Sequence, residues 1–173
     1  FKKFHATDIQ GIISMSDKIL NTKELNFSTV EGEVKLKGMI DNRKNNILQI
    51  EYDAIVNNLD INKLFTEMGN FGQDVIEDKN LKGKVSAVVK FKSIWSEKLV
   101  LDENSIYAKS DITIENGELI NFDPMLALSR FLKGADLKTV KFSTLTNTIE
   151  IKNRRIYIPM MEIKSTALDL SAS

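Results

Sequence analysis

Few side chains in this sequence are of the types that carry out chemistry. The 173 residues include one histidine and no cysteine, which excludes disulfides, thiolate metal sites and cysteine nucleophiles. That histidine, His5, stands alone near the first residue, where a surface or strand position explains it better than catalysis or metal binding. The sequence has no Walker loop, dinucleotide fingerprint, nucleophile elbow or HExxH motif.

Acidic residues that lie close together are the remaining candidates for acid–base catalysis. In chain order they are Glu77-Asp78, Asp102-Glu103, and Glu115 with Glu118. The first two pairs stand in polar stretches and the last flanks an Asn-Gly dipeptide, so solvated turns are their expected use. We therefore predict a protein that is not an enzyme, with no catalytic residue, no metal ligand and no cofactor.

The charge balance limits the partners that the chain can have. Lysine and arginine together number 24, as do aspartate and glutamate, so the formal net charge is zero. Nucleic-acid binders normally carry a basic excess that neutralises phosphates, so nucleic acid is not an expected partner. Lys35, Lys37, Lys90 and Lys92 alternate with apolar residues, which predicts a solvated strand face. The alternative for these lysines is binding of anionic headgroups or polysaccharide.

Alternation of apolar and polar residues with period two dominates the chain and predicts antiparallel strands with one wet face. Ile55 and Val88 are exceptions, since each is apolar at a position where the pattern calls for a polar residue. The residues assigned to the apolar face, where they would contact either the core or an apolar ligand, are Val34, Leu36, Leu48, Ile50, Tyr52, Val85, Ala87, Val89, Phe91, Ile112 and Ile114.

Two short helices are predicted, each directly after a strand. In SDITIENGELINFDPMLALSRFLK, Asn116-Gly117 is the dipeptide preferred in a type I′ hairpin turn. Asp123 then suits the N-cap of a helix and Pro124 its first position. The other helix is predicted to begin after Asp60, with an apolar stripe that starts at Ile61 and runs to Met68.

These elements predict a mainly β (α+β) fold: a long, curved antiparallel sheet with two short helices covering its apolar face. The order strand–strand–helix recurs, with an extra hairpin in the second copy. Because it begins without an initiator Met, the chain is interpreted as one fragment of a larger protein. The recurrence divides it into two repeat-like halves, residues 1–80 and 81–173. Two short helices cannot cover so large a face. Either the sheet closes into a sandwich or barrel, or its apolar face binds an apolar ligand.

Short motifs follow one another from Asp111 to Leu170: IENGEL, FDP before an apolar helix, LKTVKFSTLTNTIEIKN, RIYIP and MEIKSTALDL. In this order and spacing they resemble the C-terminal region of the AsmA family, in the form typical of Bacteroidetes envelope proteins. Residues 1–110 share with the family only a general pattern of amphipathic strands that begin at glycine. The family's second hairpin usually has Asn-Gly, where this sequence has Asn153-Arg154. The family also continues with further strands after LSAS, so the resemblance implies an incomplete sheet with an edge open to self-association.

The resemblance to AsmA-like proteins implies a function in outer-membrane biogenesis. It implies a periplasmic location, an inner-membrane anchor outside this chain, and repeated strands curled into an apolar groove that binds or transfers phospholipid. It brings no catalytic residues. The alternative is a closed structural module that pairs with partner proteins through the edges of its sheet.

Overall fold

The fold is known from a computed structural model, which describes residues 4–44, 46–72, 74–128, 137–158, 161–165 and 169–172. Within these residues ten strands form one antiparallel sheet. The strands are β1 (Thr7–Ser16), β2 (Ile19–Thr29), β3 (Gly32–Asp41), β4 (Ile47–Asp60), β5 (Leu81–Ser96), β6 (Leu101–Ile120), β7 (Thr139–Lys152), β8 (Arg155–Tyr157), β9 (Met161–Ser165) and β10 (Asp169–Ala172).

The sheet is open, and its strands lie side by side almost entirely in chain order. The order is β1-β2-β3-β4-β5-β6-β7-β9-β10, and β8 also pairs with β7. The helices are short: α1 (Ile61–Glu67) and α2 (Asp123–Leu128), with 3₁₀ turns at Gly69–Gly72 and Asp78–Asn80. The predicted mainly β fold is confirmed, and in the described residues the sheet closes into neither a sandwich nor a barrel.

The cross-strand register separates the sheet into two faces. Leu36 pairs with Ala54 and Ala54 with Val89, while one residue further along Lys35 pairs with Ile55 and Ile55 with Val88. Because side chains alternate along a strand, these two rows point to opposite sides. We call the side of Leu36, Ala54 and Val89 the apolar face and the other side the polar face.

The main core lies at one end of the apolar face, beneath α1. Eight buried residues form it: Val30, Val34, Leu59, Ile61, Leu81, Val85, Ile114 and Phe142. Leu64 and Phe65 of α1 pack against this cluster. The helix begins as predicted, because the Asp60 carboxylate accepts a hydrogen bond from the Lys63 backbone N–H at 3.0 Å. Met68 ends it, and Gly69 follows with a φ of 60°.

The predicted hairpin at Asn116-Gly117 is wrong. Strand β6 runs without interruption through both residues, which together lie opposite Gly83 of β5. Two residues opposite one define a β-bulge, and Asn116 has the positive φ of 50° that such a bulge accepts. A bulge and a turn each interrupt the alternation of apolar and polar side chains. Each also needs a positive φ, which Asn and Gly adopt readily. The sequence pattern could not separate the two.

The second helix and the following hairpin agree better with prediction. Helix α2 begins one residue earlier than predicted, with Asp123 as its first residue rather than its N-cap and Pro124 as its second. The Phe122 carbonyl accepts the first helical hydrogen bonds, from the Met125 and Leu126 N–H groups. Met125 is buried with Leu137 and Val140 in a small second core. The sequence also predicts that the helix runs on to a stop at Gly134, and residues 129–136 lie outside the described part of the chain. The β7–β8 turn at Asn153-Arg154 has φ values of 51° and 58°, as a type I′ turn requires.

The order strand–strand–helix occurs twice, as β3–β4–α1 and as β5–β6–α2. The extra hairpin predicted in the second copy is absent, because β6 is one continuous strand.

The close contact at the β6 bulge predicts that a side chain at Gly117 destabilises the fold. A β-carbon at this position would overlap the ring of Phe142, its partner on β7. We expect Gly117→Ala to lower the free energy of unfolding by about 1–3 kcal/mol in urea titrations. Adding Phe142→Leu should recover part of this loss by removing the ring. A Gly117→Ala protein as stable as the parent would show that the ring does not pack there.

Candidate functional site

The register places all eleven residues predicted for the apolar face on that face. Their cross-strand pairs include Val34 with Val56, Tyr52 with Phe91, Ala87 with Ile112 and Val85 with Ile114. The face therefore extends across β3, β4, β5 and β6. Beyond it, Ile149 and Ile151 continue two of the same rows onto β7.

These eleven residues divide into two groups by burial. Val34, Val85 and Ile114 are 7–8% exposed and belong to the core beneath α1, so they are not available to a ligand. The remaining eight are half-buried: Leu36, Leu48, Ile50, Tyr52, Ala87, Val89, Phe91 and Ile112. We call these eight the open apolar patch.

The total accessible surface shows how little of the sheet is covered. The chain exposes 11671 Å², whereas a compact folded monomer of this mass exposes about 8,600 Å². A second layer packed on the sheet would reduce this surface. In the described residues only α1, α2 and the short turns could form such a layer, and α1 packs at one end.

The end of the apolar face away from α1 carries polar groups that the alternation did not predict. The hydroxyl groups of Thr22 and Tyr52 lie 3.0 Å apart, within hydrogen-bonding distance. The Trp95 Nε1–H donates to Ser93 Oγ at 2.8 Å, and Ser93 is 2% exposed. Because these polar groups bond one another, they can lie among apolar side chains without meeting water.

A group of charged side chains fastens α1 to the sheet. Glu31, in the β2–β3 turn, forms ion pairs with Lys63 of α1 and, at 2.7 Å, with Lys84 of β5. Lys84 also lies 3.8 Å from Asp60, the N-cap of α1. Hydrogen bonds and charge attraction from Lys63 and then Lys84 lower the pKa of Glu31 to about 2. One carboxylate thus connects the turn, the helix and the central strand.

Three of the acidic residues considered for catalysis, Glu77, Glu103 and Glu118, form ion pairs. Glu118 bonds with Lys141 and Lys82, each at 3.2 Å, and these lysines lower its pKa. Glu77 pairs with Lys79, and Glu103 with Arg154 at 3.1 Å. His5 lies 3.6 Å from Glu67. No three potential metal ligands come together in the part of the chain that the structure describes.

Comparisons with protein-family models, curated proteins and solved structures find no match to this chain. The resemblance to the AsmA family therefore stays a prediction. Among the described residues, no helix has the length and apolar character needed to cross a membrane.

The Glu31 ion pairs predict a particular loss of stability in acid. The pKa of Glu31 is about 2 in the folded chain and near 4.5 when unfolded. Its contribution is therefore complete above about pH 4.5 and is lost as the pH falls towards 2. We expect Glu31→Gln to be less stable than the parent at neutral pH, and the two to converge in acid.

Urea titrations over this pH range test the prediction, with the difference between the two proteins as the readout. Asp41, whose pKa Arg43 also lowers to about 2, titrates in both proteins and cancels in that difference. A difference in stability that does not change with pH would contradict the assignment of these ion pairs.

Proposed function

We propose that this chain is a non-enzymatic part of an envelope protein that binds phospholipid and serves outer-membrane biogenesis. The open apolar patch carries the proposal: eight aliphatic, aromatic and alanine side chains remain half-buried on a single-layer sheet. The resemblance to AsmA-like proteins favours lipid as the apolar ligand. It also favours a periplasmic location and an inner-membrane anchor outside this chain.

The size of the patch suits an acyl chain. From Leu48 to the level of Ala87, which lies opposite Val56, the patch extends about 26 Å along the strands, at roughly 3.3 Å per residue. One leaflet of a bilayer's hydrocarbon core is about 15 Å thick, so an extended acyl chain fits along a strand. Each methylene that leaves water contributes about 0.8 kcal/mol when fully buried. A face left open on one side gives less per methylene, which suits a chain that must be released again.

The proposal predicts that charge on the apolar face abolishes lipid binding. We expect the gently purified protein to retain phospholipid that mass spectrometry detects, and Val89→Asp and Ile50→Asp to lose most of it. The reason is that a carboxylate would have to be desolvated beneath an acyl chain. Lys90→Asp is the matched control, since Lys90 is the next residue of β5 and lies on the polar face. It should retain lipid.

Circular dichroism must show that each variant is folded. If Val89→Asp does not fold, Val89→Thr replaces it in the test. Threonine keeps the branched shape of valine, and its hydroxyl group should still weaken lipid retention. Lipid retention by folded Val89→Asp at the parent's level would refute the proposal.

Pairing through a sheet edge is the second candidate function, and the β1 edge favours it. All ten residues of β1 are exposed, among them Ile9, Ile12, Ile13 and Met15 at 55–75%. The strand has no lysine, arginine or proline, the residues that commonly protect an edge. The edge expected from the resemblance was the C-terminal one, which β10 forms in the described residues.

A second copy of the chain is the proposed partner at this edge. When β1 is laid antiparallel to itself and centred on Ile12, Ile9 meets Met15 and Gly11 meets Ile13. In this arrangement the apolar faces of both copies stay on the same side, and apolar residues lie opposite apolar residues.

Edge pairing predicts that the chain self-associates through β1. Sedimentation velocity should show a dimer that increases with concentration. Ile13→Lys should shift it to monomer, because two like charges would lie close together across the joined strands and apolar contact would be lost. Val100→Lys changes an equally exposed residue, at 64%, in the β5–β6 turn and should leave the dimer unchanged. A parent protein that stays monomeric at high concentration would refute self-association.

A further inference from the structure

The polar face carries a depression of about 550 Å³ that the lipid proposal does not use. It crosses four strands, β4 to β7, and two cross-strand rows of side chains line it. One row is Ile55, Val88, Asp111 and Thr148; the other is Asn57, Ser86, Thr113 and Thr146. We call these eight residues the polar-face trough. Its volume lies within the range of small-molecule sites, about 300–1,000 Å³.

The two exceptions to the alternation of the sequence meet in this trough. Ile55 and Val88 are direct cross-strand partners, and they are 47% and 52% exposed. Their neighbours on the same face of β4 and β5 are charged or polar: Asp53, Asn57, Ser86 and Lys90. The pair places a small apolar surface among polar groups, which a ligand with one apolar side could cover.

A β-bulge shapes the β4 side of the trough. Asn57 and Asn58 together lie opposite Ser86, and Asn58 has a φ of 57°. The Asn58 N–H donates to Ser86 Oγ at 3.0 Å, which holds that oxygen at the trough. Bulges increase the local twist of a strand and redirect side chains, and they occur often beside binding sites.

The hydrogen-bonding groups of the trough are only partly occupied. Asp111 accepts one bond, from Thr148 Oγ1 at 2.6 Å. Within the described residues, the side chains of Asn57, Thr113 and Thr146 have no hydrogen-bond partner. The polar-face trough therefore presents hydroxyl and amide groups, which can both donate and accept hydrogen bonds, beside one carboxylate, which accepts them.

We propose that the polar-face trough binds a neutral saccharide. A sugar ring combines hydroxyl groups, which match the threonine, asparagine and aspartate side chains, with a C–H face that can cover Ile55 and Val88. No lysine or arginine lines the trough, and Asp111 would repel an acidic ligand there. The trough and the open apolar patch lie on opposite faces, so this site does not depend on lipid binding.

Amide chemical shifts in ¹⁵N-labelled protein provide the test. Maltotriose, cellotriose and chitotriose are titrated as neutral probes and trigalacturonate as the acidic comparison. We expect at least one neutral probe to shift the amides of Val88, Asp111, Thr113 and Thr146. Trigalacturonate should leave them unchanged.

Two variants assign the binding to the trough. Val88→Thr keeps the branched shape but removes apolar contact, and Asp111→Asn keeps the acceptor for Thr148 but removes the charge. Each should weaken binding about tenfold. Val100→Thr, an exposed valine outside the trough, should bind as the parent does. The proposal would be overturned by no response to any neutral probe, by stronger binding of trigalacturonate, or by shifts confined to residues of the apolar face.

Discussion

The ladder of backbone hydrogen bonds from β1 to β7 is the constraint on which the rest of the molecule depends. A sheet's register decides which side chains share a face, because a slip of one residue would move a whole strand's apolar set to the other side. Here the rows that begin at Val34 and Leu36 stay in register across β3, β4, β5 and β6. One continuous apolar face results. A sheet of one layer has nothing to cover that face, so the apolar side chains that the ladder places there stay exposed.

The helices and ion pairs act within the limits that the sheet sets. Helix α1 covers the end where Leu59 and Val85 lie, and there the sheet has its only large buried cluster in the described residues. Glu31, in the β2–β3 turn, connects this helix to β5. The apolar face is therefore buried at the end beneath α1 and remains uncovered over the open apolar patch.

Two bulges beside β5, one in β4 and one in β6, change which residues face the core. At Asn57-Asn58 the shift brings Val56 and Leu59 to the same face, and the second of these enters the core. At Asn116 the shift turns Gly117 and Leu119 inward, where the Phe142 ring fills the space that the glycine leaves. Each bulge is also a place where the polar side of the sheet changes shape. The trough lies next to the first of them.

By itself the sequence determined the faces, because period two is a local property of each strand. It located the eleven apolar-face positions, the Asp60 cap and the Asn153-Arg154 turn, each of which depends on neighbours in the chain. Only the tertiary structure decided which of those positions are core, because α1 covers Val34, Val85 and Ile114 and leaves the others open. It also decided that Asn116-Gly117 is a bulge and that Ile55 meets Val88. Those outcomes depend on which strands pair, and pairing joins residues that are distant in the sequence.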